Sequence, residues 1–167
     1  MSINIEVVHE TDFLDIAAIY QFYVENTLAT FEIKAPHAKE LIERWQRHIE
    51  MPFIVARLRE EVVGFAYVRP YHQRCAYKST VEDSVYVHPQ HTQKGIGARL
   101  LENLLKACQD KTIKEIIARI AIWENSASSI NLHKKFGFQE KGCLTNVGFK
   151  FNRFVDTVLL QKSIYPS

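Results

Sequence analysis

The sequence is poor in cysteine, in long apolar runs and in net charge, and each shortage closes off a class of function. Only three cysteines occur in 167 residues: Cys75, Cys108 and Cys143. They stand far apart, form no Cys-x-x-Cys pair and make no even framework. They therefore read as reduced thiols with structural roles. No apolar run approaches the roughly 20 residues that a helix needs to cross a bilayer. Met1–Val8 lacks the charged-then-apolar layout of a leader, so a cytoplasmic protein with no membrane partner is expected. The formal net charge is only +2, which announces no basic stripe for nucleic acid. Repeats, low-complexity stretches and linkers are also missing.

What is present is an ordinary globular mixture. Hydrophobic residues make up 47% and charged residues 24%, a balance that buries a core rather than staying disordered. The length suits a single domain over residues 1–167. Ile3, Ile5 and Val7 alternate as in a strand. A helix should follow, capped by Thr11 or Asp12, with an apolar stripe through Phe13, Ile16, Ile19, Tyr20 and Tyr23. Pro36 can open a second helix running through Leu41, Ile42, Trp45 and Ile49. Strand-like runs cover Phe53 to Leu58, Val62 to Tyr71 and about Ala76 to Val87. An amphipathic helix carries Leu100, Leu101, Leu104 and Leu105. Ile113 to Ile122 reads as a strand, and Ser126 to Phe136 as a helix closed by Gly137. Two strands follow, around Gly148 and Arg153. The order β-α-α-β-β-β-α-β-α-β-β predicts an α/β (α+β) domain, a mixed sheet with helices on both faces.

The most informative stretch runs from Val85 through Gln93-Lys94-Gly95-Ile96-Gly97-Ala98 to Leu101. A strand ends, a short loop turns and a helix begins at two closely spaced glycines. The first amides of a helix have no internal partners and sit at the positive end of its dipole. Gly95 and Gly97 remove side chains that would keep a diphosphate away. The loop is not a P-loop, because no Gly-Lys-Ser/Thr follows. Nor is it a dinucleotide fingerprint, which would need glycine at Leu100.

This stretch resembles motif A of the GNAT superfamily of N-acetyltransferases, whose Gln/Arg-x-x-Gly-x-Gly/Ala pattern binds the pyrophosphate of acetyl-CoA. Thr92 stands at the Gln/Arg position here, a departure from the pattern. Asn125 to Phe138 resembles motif B, with Asn125 and Ser128 or Ser129 placed to cap a helix and contact the cofactor. The run Thr80-Val81-Glu82-Asp83-Ser84-Val85-Tyr86-Val87 resembles the phosphinothricin-acetyltransferase branch. So do Thr27–Glu32, Arg74–Tyr77 and Gly148–Asp156, which extend the resemblance over nearly the whole chain.

The resemblance implies a GNAT-like, mostly antiparallel twisted sheet and acetyl-CoA as co-substrate, with no metal. By it, Glu82 is the base that accepts a proton from the acceptor's ammonium, and His133 protonates the departing thiolate. Alternation sets Asp83 on the opposite face from Glu82, so it serves as the control. Val85, Tyr86, Val87 and Gln93 to Ala98 are expected along the cofactor, with an amide of Tyr86–Val87 polarising the acetyl carbonyl. An amino-acid-like acceptor needs a grip on its carboxylate, for which Arg74 and then Lys150 are the expected cations. Phe31 and Tyr77 are expected to wall its side chain. The branch also implies a homodimer. Two alternatives stand beside this reading: a protein or peptide N-acetyltransferase, and a non-catalytic acyl-CoA sensor.

Overall fold

The computed structural model describes residues 3–109 and 111–165. Among these residues one sheet is formed by β1 (Ile3–Val7), β2 (Phe53–Leu58), β3 (Glu61–Pro70), β4 (Thr80–Val87), β5 (Glu115–Ala121), β6 (Gln139–Lys150) and β7 (Arg153–Ser163). Its order is β1-β2-β3-β4-β5-β7-β6. Neighbours are antiparallel except β4 and β5, which are parallel. The helices are α1 (Phe13–Asn26), α2 (Ala38–Gln46), α3 (Ile96–Gln109) and α4 (Ser126–Lys135).

Period-two alternation sorts the strand residues between two cores. On β2, Ile54 and Ala56 join Leu100, Leu101 and Leu104 of α3. Val55, between them, joins Phe13, Ile16 and Ile19 of α1 instead. Helices therefore cover both faces, as the element order predicts. Each such aliphatic or aromatic side chain contributes about 1.5–3 kcal/mol on full burial. Gly64 of β3 permits the close approach of α3. A Cβ there would stand 3.0 Å from both Leu100 Cδ1 and the Tyr86 carbonyl oxygen.

Three local expectations need adjustment. Asp12 stands at the N-cap of α1 as expected, but its carboxylate makes no capping bond to the helix; it accepts the His9 amide at 2.9 Å and pairs with Arg57 at 2.7 Å. Helix α2 starts at Ala38 and stops at Gln46, short of Ile49, because His48 N–H bonds back to Trp45 and tightens the last turn. Strand β4 begins at Thr80 rather than Ala76. Its partner β3 ends at Pro70, which has no N–H to give, and Cys75–Tyr77 curl into a 3₁₀ turn instead.

The feature that matters for function lies between β4 and β5. They pair only at Thr80, Val81 and Glu82, against Glu115, Ile116 and Ile117. Beyond Glu82, β4 stays with β3 and β5 stays with β7, so the sheet opens into a wedge.

Candidate active site

The wedge is the mouth of a cleft of about 930 Å³. Asp83 to Val87 form one wall, Ala118 to Ala121 the other, and the starts of α3 and α4 close it. Hydrogen-bond parity decides which backbone groups face it. Tyr71 N–H bonds to Thr80 O and His88 N–H to Val63 O, so the even residues of β4 exchange bonds with β3. The peptide groups of Val85 and Val87, beyond the last β4–β5 pair, consequently point into the wedge. Val87 O accepts the Tyr23 hydroxyl, while Tyr86 spends its amide on β3. An oxyanion donor from this strand is thus Val85 or Val87, and Tyr86 drops out of that role.

The loop after β4 makes a 3₁₀ turn, Pro89–His91, before α3. Gln93 (φ 60°) and Gly95 (φ 77°) are both left-handed, which turns neighbouring amides toward a common point. Gly95 O accepts Arg99 N–H at 3.1 Å, so α3 begins there and leaves the amides of Ile96, Gly97 and Ala98 without helical partners. A Cβ on Gly97 would project between Val87 and Leu132, into the cleft. This cradle fits the diphosphate of a coenzyme A ester, and it rests on backbone rather than on side chains. Thr92 donates its hydroxyl to Pro89 O, and the Lys94 ammonium turns back to Gln90 O, away from the cleft.

Helix α4 contributes Asn125, Ser128 and Ser129 to the cleft wall. The Asn125 side chain makes no capping bond. The buried Ser126 closes the turn instead, bonding both the amide and the carbonyl of Trp123. Ser128 donates to Asn125 O.

His133 is buried, and both ring nitrogens are engaged. Nδ1 lies 2.8 Å from Ser129 O, and Nε2 lies 2.9 Å from Asp83 Oδ2. A carbonyl only accepts, so Nδ1 carries a hydrogen, and one further proton is shared between Nε2 and Asp83. Burial, the largest single influence, pulls the His133 pKa down. The Asp83 charge and the hydrogen bonds to Asp83 and Ser129 together outweigh it, and the net shift is upward. Asp83 is therefore no neutral control: it is the partner of His133, and its Oδ1 is buried with no hydrogen-bond partner among the described residues. The signal was present in the sequence, since a carboxylate on the Val81-Val85-Val87 face must be met inside. Nearby Cys108 on α3 is buried, and burial and Asp83 push its thiol up to about 12. It offers no thiolate nucleophile near neutral pH.

Glu82 points to the other face, toward α1 and α2. It is 8% exposed and meets Arg69 at 2.8 Å and Arg119 at 3.3 Å. It lines a second cavity of about 660 Å³, walled by Tyr67, Phe53 and Trp45. Arg119 lines both this cavity and the wedge. The sequence gives no local cue to Arg69 or Arg119, which reach Glu82 only through strand pairing.

The residues expected to grip an acceptor lie outside that cavity. Arg74 is exposed, with its amide on His72, and Tyr77 packs at the rim against Tyr71 and His72. Lys150 is buried, and its ammonium donates to Thr30 O at 2.8 Å. Phe31 packs against Gly148, where any Cβ would strike its ring. Lys150 and Phe31 thus tie the segment after α1 to β6.

A wedge between parting strands, an amide cradle for a diphosphate and acid–base side chains on both sides of one strand define an acyl-CoA-dependent group transferase. Comparison with known proteins gives the family. Residues 5–159 match the acetyltransferase (GNAT) domain, and the chain belongs to that family. It is 36% identical to a phosphinothricin N-acetyltransferase of Alcaligenes faecalis, over 96% of this chain and 82% of that protein. It is 31% identical to an L-methionine sulfoximine/L-methionine sulfone acetyltransferase of Pseudomonas aeruginosa, over 100% of this chain and 98% of that one. A GNAT superfamily phosphinothricin acetyltransferase from Sinorhizobium meliloti, solved in complex with acetyl-CoA, superposes with a TM-score of 0.91 at 34% identity, covering 98% of this chain and 89% of that one. The chain is an acetyl-CoA-dependent N-acetyltransferase with the GNAT fold.

Proposed function

We propose that the protein acetylates the amine of a small amino-acid-like acceptor, of the phosphinothricin or methionine sulfoximine/sulfone type, by direct attack in a ternary complex. The observation that carries this reading is that Glu82 lines an aromatic-walled cavity, one residue from the wedge. The amides of Gln93 to Ala98, Lys94 among them, hold the pyrophosphate. Asn125, Ser128 and Ser129 border the pantetheine side of the cleft. Glu82 accepts a proton from the acceptor's ammonium, which frees the lone pair. The Val85 or Val87 amide polarises the acetyl carbonyl, and His133 supplies the proton to the leaving sulfur. Much of the acceleration comes from holding both reactants in adjoining cavities.

The protein acts in the cytoplasm on this reading, consistent with the absence, among the described residues, of any helix long and apolar enough to span a membrane. We assign a homodimer to the face around β6 and β7, where Val147, Phe149, Phe151 and Phe154 are all more than half exposed. The deciding measurement is thiol release from acetyl-CoA with phosphinothricin, methionine sulfoximine, methionine sulfone, plain amino acids, polyamines and basic peptides. Turnover confined to the small amino-acid analogues is expected. Turnover of peptides alone would move the acceptor class to protein.

A further inference from the structure

The charged side chains lining the Glu82 cavity are four arginines and a single carboxylate: Arg44, Arg47, Arg69, Arg119 and Glu82. Arg44 is already tied to Glu32 and Glu40. Arg69 and Arg119 both hold Glu82, the group assigned here as proton acceptor. A bare ammonium entering this cavity meets a surplus of positive charge. It also finds both carboxylate oxygens occupied, one by each guanidinium.

The geometry shows which partner gives way. Glu82 is cross-strand to Arg69 on β3, and its side chain is only 11% exposed. The Arg69 and Arg119 side chains are 57% and 42% exposed, with room to swing. Arg119 stands two residues past the last β4–β5 pair, where the strands part, and so borders both cavities.

We infer that Arg69 and Arg119 form an anion-exchange clamp, which releases Glu82 only when the acceptor brings its own carboxylate. This deepens the acceptor reading above and rests on it. The acceptor arrives as an ammonium carboxylate. Its carboxylate takes over the guanidinium contacts, the Arg69 hydrogen bond first because Arg69 is the more exposed, then the Arg119 ion pair. The Glu82 oxygen so freed accepts one proton from the ammonium, and the neutral amine is left facing the wedge. Once Glu82 is protonated, the acceptor carboxylate is the anion that both half-exposed guanidiniums face, so the buried Glu82 holds no unpaired charge. An amine without a neighbouring anion cannot make the exchange and is selected against.

The test compares methionine sulfone with its decarboxylated amine, which differs only by the carboxylate. Wild-type kcat/KM should favour the amino acid by about a hundredfold, the weight of paired charge-assisted hydrogen bonds. Arg69→Gln should cut that preference by about tenfold or more, mainly through a higher KM for the amino acid. Arg119→Gln should act in the same direction more weakly, given its longer contact. Arg69→Lys should restore part of the preference, because it keeps charge but not the fork. Circular dichroism of each variant establishes that it is folded. Equal wild-type use of both acceptors, or a ratio unmoved in folded Arg69→Gln and Arg119→Gln, overturns the clamp while leaving the transferase intact. If neither compound is acetylated and peptides are, the acceptor reading falls and the clamp with it.

Discussion

Glu82 and Asp83 are chemically almost the same and adjacent in sequence, yet the strand delivers them to two different worlds. Glu82 looks into a cavity whose other charges are guanidiniums on half-exposed stems. Asp83 is buried beside α3 and α4, with an imidazole on one oxygen and, among the described residues, no hydrogen-bond partner on the other. The first carboxylate is held by half-exposed guanidiniums; the second is bonded to a buried imidazole. On the mechanism proposed above, alternation along β4 separates a proton acceptor for an incoming amine from a proton store for a departing thiolate. On the same proposal the wedge beyond Glu82 brings the two sides within reach of one reaction.

The sharpest way to break this comparison is to neutralise each side in turn. Glu82→Gln should lower kcat by about 10²–10⁴-fold, the range for loss of a positioned base, while the thermal midpoint hardly moves. A kcat within a few-fold of wild type would remove Glu82 from proton transfer.

Asp83→Asn should lower kcat by about tenfold and cost stability as well, because His133 loses its charged partner. The pH dependence carries the distinction. The folded-state pKa of His133 is raised above its ordinary 6.5. The stability gained from the pair is therefore complete below about pH 6.5 and fades as pH rises through the raised value. The gap in thermal midpoint between wild type and Asp83→Asn should be wide near pH 6 and narrow near pH 9. A gap that stays constant would mean that Asp83 acts by packing alone.

Effects at the cofactor cradle should be smaller. Gly95→Ala forces a Cβ onto a residue at φ 77°, although nothing crowds the position. It should cost about 1 kcal/mol in stability and weaken acetyl-CoA by several-fold, read by calorimetric titration. Thr92→Ala removes only a hydroxyl bonded within its own loop, so acetyl-CoA affinity should change by less than about twofold. A large loss there would restore to Thr92 the side-chain role that the motif position suggests.

The parts of this molecule that local chemistry dictates could be read from the chain. Strand β2 runs from Phe53 to Leu58, where its strand-like run places it, and the turn into α3 falls at Gly95 and Gly97, where the glycine spacing places it. Cys75-Ala76-Tyr77 has the apolar texture of a strand, but it has no partner to pair with once β3 ends. The acceptor side was least legible for a related reason. Arg69 meets Glu82 through the β3–β4 register, and Arg119 meets it across the β4–β5 junction. Neither is near Glu82 in the chain, and an arginine in a strand carries no mark of what it will face. Lys150 and Phe31 stand in motif segments, and a motif locates a segment without saying whether a side chain turns in or out; here they meet Thr30 O and Gly148.

The short parallel junction has a mechanical consequence. Among the described residues, three residue pairs stitch the sheet's β1–β4 half to its β5–β7–β6 half. A ligand lodged in the opening spans that seam and braces it. Loading with acetyl-CoA should therefore slow amide exchange in β5 and β7, far from the phosphates, as well as at the start of α3. On that expectation the co-substrate is a removable rib of the fold, and the protein should be stiffest when it is ready to react.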